Sequence, residues 1–448
     1  MLKLRRRSWW SAIAVALAAM LFAVAVRIGH PNNFPTVDHS RLLITLERSA
    51  CFGDCPDYRV RIDGYGRVEF STETAALGAV EELHRAMSST PGVLHPGTHV
   101  DRIDRRSVDA LVERFRKARF FSLRDSYVWE VTDLPTQVLT LETGHGRKRV
   151  LDYGGDQVGM PRSVAELQVA VDRAAGSARW VRGATGLVAY LEKTGFDFRS
   201  ERAAGMLLQG VAEADESTLV GLIDRGAPLD EPLSAAESTR PVGAEAIIGS
   251  IRFGRARLFK ALVDRGWLGR VDGAEANQVL AEGAAGCNPE FVDVAVDAGL
   301  LVDAVTPRPA DYHPEDGIPF GETALAGLAG AYGCRGEGPR TDTAKRLLAR
   351  GANPNSRDSA GETPIFGVES AALLRVLLAS GADPRARDSA GRSAVFSTWN
   401  DEIIAMLLEA GASPAGRDSE GKTLAQLAAE KRLLKTARWL KAHPVQPN

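Results

Sequence analysis

A repeated segment in the C-terminal part of the chain constrains the fold more than any other feature. The segment Gly-Ala-Asn-Pro-Asn-Ser-Arg-Asp-Ser-Ala-Gly begins at Gly351, and related segments begin at Gly381 and Gly411, each thirty residues after the last. A Leu-Leu pair stands shortly before each of these glycines. Weaker, less regularly spaced relatives end at Gly195, Gly226, Gly266 and Gly299. Such phased self-similarity predicts stacked repeat units rather than one closed core.

Each copy predicts where a helix ends and a turn begins. The leucine pair near the helix end packs on the preceding unit, and the glycine takes the left-handed conformation that ends the helix. The Asn-Pro or Asp-Pro that follows in the first two copies prevents the helix from resuming. Three aspartates are expected to accept backbone N–H bonds within the turn: Asp358, Asp388 and Asp418. The next helix is expected to start near Thr363, Ser393 and Thr423.

These segments resemble the ankyrin repeat. Residues 361–365, Gly-Glu-Thr-Pro-Ile, match its helix-opening motif, and residues 377–383, Leu-Leu-x-x-Gly-Ala-Asp, match its closing motif. The similarity is strong over 340–440 and diffuse over 186–300. Phe366 and Phe396 replace the usual histidine, and the short period predicts a trimmed helix or inter-helix turn. The resemblance implies that 186–448 is an all-α, ankyrin-like solenoid that binds another protein through its turn tips and concave helix face.

Two features of the repeat region are candidate partner contacts. Arg357, Arg387 and Arg417 recur at one turn position, where they form either a basic row facing a partner or a solvated position beside the turn aspartate. The longest interval between phased glycines contains an insertion near 303–320 with four prolines, which no helix can absorb. Long loops in compact folds are often functional. Tyr312 and His313 in this insertion are therefore predicted to contact the partner protein.

Residues 38–183 predict a separate α+β domain with an antiparallel sheet. Apolar residues alternate with more polar ones at 42–46 and at 58–62, which is the pattern of half-buried strands. Turn residues at 63–66 and around Gly144 predict two hairpins.

Two amphipathic helices complete this predicted domain. Ser107 is the expected N-cap of the first helix, whose apolar residues recur at helical spacing. Ser163 and Glu166 form the pattern of a capping box at the start of the second.

The sharpest local motif is Cys51-Phe-Gly-Asp-Cys55-Pro-x-Tyr58. The Gly and Asp favour a tight turn that brings the two cysteines within disulfide distance, so that the bridge joins the first strand to the first hairpin. A redox-active pair, a metal site and unpaired thiols are the alternatives.

This motif, with Phe120-Phe-Ser-Leu123, Asp133-Leu-Pro-Thr136 and Trp180-Val181, resembles a bacterial family of domains of unknown function. The resemblance covers most of 41–183 and implies a small exported α+β module without an established activity.

Cys287 and Cys334 both follow an Ala-x-Gly and are expected at related positions of successive repeats. Equivalent positions on packed helices lie about 8–10 Å apart, which is too far for a disulfide unless the backbone is distorted near the insertion. A bridge and two free thiols therefore both remain open. The even number of cysteines favours bridges if the chain is exported.

The first thirty residues predict a signal anchor or a signal peptide. A basic segment, residues 1–7, precedes an apolar run over residues 9–26 that ends at Arg27. This run is between the usual lengths of a cleaved signal and of a spanning helix. We expect a single-pass anchor in a bacterial inner membrane with the bulk of the chain in the periplasm. A soluble periplasmic or secreted protein, released by signal cleavage, is the alternative.

Charge and motif content limit the classes of function. The net charge is −2, and the region 186–448 has an acidic excess that repels phosphate backbones, which argues against nucleic-acid binding. The chain contains no Gly-x-Ser-x-Gly, Walker-type or His-Glu-x-x-His motif. We therefore expect a non-enzymatic, cofactor-free interaction protein. The alternative is a ligand-binding or enzymatic N-terminal domain, possibly a thiol-redox module, that the repeats direct to its target; a deep polar pocket would favour it.

Overall fold

The computed structural model describes residues 34–51, 55–72, 92–234, 238–282, 287–308, 320–329, 334 and 336–444. The chain divides into two compact units, Met1–Leu187 and Val188–Asn448. The predicted membrane segment 9–26 lies outside the described residues. No helix within the described ranges combines the length and the apolar character needed to span a bilayer.

The first unit contains a seven-stranded sheet with the order β4-β3-β2-β1-β6-β7-β5. Its strands are β1 Leu43–Arg48, β2 Tyr58–Asp63, β3 Arg67–Ser71, β4 Thr98–Arg102, β5 Ser126–Val128, β6 Gln137–Glu142 and β7 Arg147–Tyr153. Ile44 pairs with Ile62 on one side and Leu141 on the other, and all three are fully buried. The strands and both hairpins predicted from the alternation are confirmed.

The sheet is mixed, so the prediction of an antiparallel sheet is wrong at one edge. β5 pairs with β7 in parallel, with Tyr127 opposite Asp152. β5 and β7 are connected through β6, which forms an antiparallel hairpin with β7, so β5 and β7 run in the same direction. A three-residue strand is too short to show a period-two pattern, and the sequence analysis therefore missed it.

Helices α1 (Arg105–Lys117), α2 (Arg162–Ala175) and α3 (Ala178–Arg182) belong to the same unit. α2 packs on β1 and β2, and α1 packs beside α2. The predicted N-cap Ser107 is wrong, because the Asp104 carboxylate caps α1 by accepting the Ser107 N–H at 2.7 Å. The predicted capping box at Ser163 is also wrong: Pro161 is the N-cap residue of α2, and no side chain caps that end.

The second unit consists of helices in two layers. They are α4 Leu187–Lys193, α5 Glu201–Gly210, α6 Glu216–Asp224, α7 Val242–Arg252, α8 Ala256–Val263, α9 Gly273–Glu282, α10 Pro289–Asp297, α11 Ala324–Ala329, α12 Glu337–Ala349, α13 Ala371–Ala379, α14 Asp401–Glu409, α15 Leu424–Glu430 and α16 Leu434–Ala442. Helices α6, α8, α10, α12, α13, α14 and α16 contact one another in succession and form the second layer. Helices α5, α7, α9 and α11 form the first layer in the same way.

The phased glycines follow the ends of α4, α6, α8, α10, α12, α13 and α14, as the repeat pattern predicts. All seven have positive φ: Gly195, Gly226, Gly266, Gly299, Gly351, Gly381 and Gly411. The residue after each glycine donates its N–H to a carbonyl five residues before it; the Ala352 N–H bonds the Leu347 carbonyl at 2.9 Å. This is the Schellman arrangement. The weak and the strong copies therefore share one structural unit.

The short period reflects a trimmed helix in the first layer. Residues 364–366 form a single turn, and Ala394–Phe396 forms one turn of 3₁₀ helix, where other repeats have a helix. Phe366, in place of the usual histidine, is buried in the core. The buried Ser393 hydroxyl has no hydrogen-bond partner among the described residues.

The last repeat has a full helix, α15, at the position where the two preceding copies have a single turn. Thr423 caps α15 in a capping box with Gln426. Trp439 and Leu440 of α16 are partly buried against the repeat core, while the neighbouring Lys441 is exposed. The last helix therefore packs against the repeat core through these two side chains.

Candidate functional site

The turns that follow the second-layer helices form projecting fingers. We name finger B (356–362), finger C (386–392) and finger D (416–422). In each, the aspartate carboxylate accepts the backbone N–H of the residue four positions later, at 2.8 Å in fingers B and D and 2.7 Å in finger C. The predicted role of Asp358, Asp388 and Asp418 is confirmed.

The insertion begins and ends as a further finger. The Thr306 N–H bonds the Glu322 carbonyl and the Gly321 N–H bonds the Thr306 carbonyl, each at 2.9 Å, and Val305 forms a β-bridge with Thr323. We name these paired ends, 305–308 and 320–323, finger A. The predicted contacts Tyr312 and His313 lie between them, outside the described residues.

Backbone hydrogen bonds join fingers A, B and C. The Ser359 N–H bonds the Phe320 carbonyl at 2.7 Å, and the Ser389 N–H bonds the Ala360 carbonyl at 2.8 Å. Across residues 386–422, all of which are described, no backbone hydrogen bond joins finger C to finger D. A Cβ added at Gly391 would meet nothing within 4 Å, although one added at Gly361 would meet the Ser389 N at 2.8 Å. The backbone hydrogen bonds between neighbouring fingers therefore end at finger C.

Each arginine of the row bonds its own turn, and the three side chains stay exposed. The Nη1 atoms of Arg357, Arg387 and Arg417 donate to the carbonyl four residues later, at 2.7, 2.6 and 2.7 Å. Arg357 Nη1 also bonds the Arg387 carbonyl of the next finger at 2.7 Å. All three side chains are exposed. Each exposed guanidinium is thus held by its own turn; contact with a partner stays a prediction.

Four carboxylates gather at the bases of fingers A, B and C: Glu322, Asp358, Glu362 and Asp388. Burial, and then the charges of Asp358 and Asp388, raise the pKa of Glu362 above its usual value. Burial and the Asp358 charge raise the pKa of Glu322 in the same way. The Asp388 side chain is only 2% exposed and pairs with Arg392 at 2.7 Å. The sequence analysis missed this cluster because its members come from three fingers.

Trp399 is a large exposed side chain that the sequence analysis also missed. It is 69% exposed and follows the one-turn 3₁₀ helix that ends at Phe396. The Lys431 Nζ lies 4.7 Å from its ring centroid. The sequence did contain a signal for it. Trp399 occupies the position at which the preceding copy has the exposed Glu369, so comparison of the two copies predicts this tryptophan at the surface.

In the first unit, Cys51 and Cys55 form a disulfide with Cα atoms 5.4 Å apart. Residues 52–54 of the motif lie outside the described residues. The described part of the chain has no cluster of three or more side chains arranged to hold a metal ion. Thiol exchange at this bridge stays a prediction.

The motif tyrosine anchors α2 to the sheet. The Tyr58 hydroxyl donates to Asp172 Oδ1 at 2.8 Å, and the Ser177 hydroxyl donates to the same atom at 2.7 Å. Arg48 Nη2 donates to Asp172 Oδ2 at 2.7 Å. Burial and then the Asp172 charge raise the pKa of Tyr58. Tyr58 therefore stays protonated near neutral pH, which suits an anchoring donor rather than a catalytic base.

Cys287 and Cys334 form the second disulfide, with Cα atoms 5.5 Å apart. The two residues precede α10 and α12, which are packed against each other. Cys287 has a φ of 45°, a conformation that residues other than glycine adopt rarely. The backbone distortion that a bridge at these positions requires is present.

The fold thus defines a two-unit protein: a mixed-sheet α+β unit and a helical repeat unit with projecting fingers. Residues 42–175 match a family described as "Domain of unknown function (DUF6438)". The ankyrin repeat domain of human ASB11, a solved structure, aligns with a TM-score of 0.38 and 18% sequence identity, covering 54% of this chain and 99% of that chain. No curated protein sequence matches this chain.

Proposed function

We propose that the protein is a non-catalytic scaffold that binds another protein along fingers B, C and D and at Trp399. The observation that supports this most is the orientation of three exposed guanidiniums, each bonded to its own turn carbonyl. The ankyrin resemblance of 340–440 favours the same use of the turn tips.

The residue types on this surface suit protein recognition. Arg and Trp are enriched among the side chains that contribute most to protein–protein binding. Because each Arg side chain is already held in one orientation, binding costs less side-chain entropy than for a free arginine. The Trp399 side chain is 69% exposed, so it offers a large apolar surface to a partner.

We further propose that the protein is exported, anchored through residues 9–26 in a bacterial inner membrane with both units in the periplasm. All four cysteines form disulfides, which persist in oxidising compartments and are rare in the cytosol. The basic and apolar N-terminal sequence supports the same location.

A site-specific cross-link tests the scaffold proposal. A photoreactive amino acid replaces Trp399 in the full chain, expressed in bacterial cells of its source, and a control chain carries it at the comparably exposed Leu434. We expect one protein adduct from position 399 and none of the same mass from position 434. Separation of periplasm from cytosol in the same cells shows where the adduct forms.

The arginine row is tested in the same cells. Replacing Arg357, Arg387 and Arg417 with Gln removes the charges while the side chain keeps a donor. We expect the yield of the adduct to fall about tenfold or more if the three arginines contribute as exposed interface charges. An unchanged yield from a folded variant, or no adduct from position 399, contradicts the proposal.

A further inference from the structure

The outer faces of α1 and α2 enclose a groove that the proposed function does not use. The two helices pack side by side, and their buried stripes, such as Leu111 and Phe115 of α1, face the core. Two adjoining hollows of about 300 Å³ each lie between the helices and share Arg114 and Glu166. They form one continuous, open groove rather than a deep pocket.

The floor of this groove is apolar. Leu167 and Ala170 are buried beneath it, and Ala118 and Ala165 line its sides. Val169 is 50% exposed at the edge. An apolar side chain of a partner would therefore find apolar contacts along this line.

The rim of the groove is basic. Arg114, Lys117, Arg162 and Arg173 line it and are all exposed, and the single lining carboxylate is Glu166. Glu166 lies 3.1 Å from Arg162. Among the residues that the structure describes, no carboxylate pairs with the other three cations. Among the described residues, the groove rim therefore carries an excess of positive charge.

Helix electrostatics favour three of the four rim cations, because Arg114 and Lys117 lie in the last turn of α1 and Arg173 lies in the last turn of α2, and disfavour the fourth. The helix dipole favours cations at the C-terminal end and disfavours them at the N-terminal end. Arg162 is the first residue of α2, and the first turns of α1 and α2 contain no acidic residue. A cation at this position weakens the helix slightly, whereas an anionic partner would be attracted by it.

We propose that the α1–α2 groove binds an acidic amphipathic helix of a partner protein. Its apolar side would lie over Val169 and Leu167, and its carboxylates would face the four cations. A helix laid between two helices is a common mode of recognition, and the apolar floor with a basic rim matches this chemistry better than a flat anionic surface. This surface is separate from the fingers and from Trp399.

A designed peptide tests the proposal with the full chain. The probe is a fluorescein-labelled helix of about five turns, with Leu at i, i+3, i+4 and i+7 spacing and Glu on the flanks. We expect Arg114→Glu with Arg173→Glu to weaken binding about tenfold or more, measured by fluorescence anisotropy. Arg105→Glu with Arg106→Glu makes the same charge change at the far end of α1 and should change binding about twofold at most.

Two further measurements make the outcome decisive. A matched peptide with Gln in place of Glu should bind much more weakly, and Val169→Ala should weaken binding of the Glu peptide in a chain that keeps its circular dichroism spectrum. Equal binding of both peptides, or equal losses in both double variants, would overturn the proposal. Vesicles of phosphatidylglycerol and phosphatidylcholine that bind through Arg114 and Arg173, with no peptide binding, would also overturn it.

Discussion

At the scale of single residues, the finger bases combine carboxylates that accept turn hydrogen bonds with carboxylates whose charge burial disfavours, of which Glu362 is one. Asp388 accepts the N–H groups of Ala390 and Arg392 at 2.9 and 2.7 Å and pairs with the Arg392 guanidinium. Among the described residues no N–H donates to the Glu362 carboxylate, which lies near the charges of Asp358, Asp388 and Arg392. The negative charge of Glu362 therefore destabilises the contact between fingers B and C.

The effect of Glu362 on stability should depend on pH. Because its folded-state pKa is raised above the unfolded value, its contribution to stability is complete below the unfolded pKa. That contribution is lost as the pH rises through the folded pKa. We expect Glu362→Gln to have a higher Tm than the wild-type chain at pH 7, by an amount equivalent to about 1 kcal/mol or less since the group is half-exposed.

The comparison needs a second pH and a matched variant. At pH 4 the difference between Glu362→Gln and wild type should shrink, because the carboxylate is then largely protonated in both states. Glu409→Gln, at an exposed position of α14, should leave the Tm nearly unchanged at both pH values. A lower Tm for Glu362→Gln at pH 7 would show that the carboxylate is stabilising.

Residue-scale predictions from sequence succeeded where a role depends on neighbours along the chain. The turn aspartates were found because each one bonds a backbone group four positions later. The N-cap at Asp104 was missed, since both Asp104 and Ser107 have suitable side chains and only the backbone direction decides between them. The carboxylate cluster depends on contacts between fingers that no local pattern encodes. Trp399 can be recognised only by comparing the copies, because the preceding copy has the exposed Glu369 at that position.

At the scale of elements, the trimmed first-layer helix follows from composition. The segment Leu-Ala-Gln-Leu-Ala-Ala-Glu forms α15, and these residues favour helices. The equivalent segments after Thr363 and Ser393 contain Phe-Gly-Val and Phe-Ser-Thr-Trp, which favour helices less. Helix propensity ranks these segments, whereas the thirty-residue period alone predicts that an element is shortened and not which one.

Finger contacts can be measured with one substitution made at two equivalent positions. Gly361 and Gly391 have φ values of 74° and 76°, and alanine at either position should cost about 1–2 kcal/mol in backbone strain. Only at Gly361 would the new Cβ lie against the next finger, 2.8 Å from the Ser389 N. We expect Gly361→Ala to lower the free energy of unfolding by more than Gly391→Ala, as measured by urea denaturation.

The difference between the two variants reports the contact between fingers B and C. Hydrogen exchange should show faster exchange of the Ser389 amide in Gly361→Ala, because its bond to the Ala360 carbonyl is displaced. Gly391→Ala should leave that amide protected. Equal losses of stability in the two variants would mean that fingers B and C are no closer in solution than C and D.

At the scale of the whole molecule, the two units differ in how their stability is distributed. The sheet of the first unit pairs strands that are distant in sequence, such as β1 with β6. The second unit packs each helix on the next, so its stability is close to a sum over neighbouring interfaces. Each unit also contains one disulfide, and these close loops of very different length, with sequence separations of 4 and 47.

The two disulfides should therefore differ in how much stability their removal costs and in which unit loses it. In the chain-entropy account, the short loop contributes about 2 kcal/mol and the long one about 4 kcal/mol. We expect Cys287→Ser with Cys334→Ser to destabilise the second unit about twice as much as Cys51→Ser with Cys55→Ser destabilises the first. Because contacts in the second unit are between neighbours, hydrogen exchange should rise most in α10 and α12 and least in α16. Uniform exchange across the repeats would show that the second unit unfolds as one cooperative block.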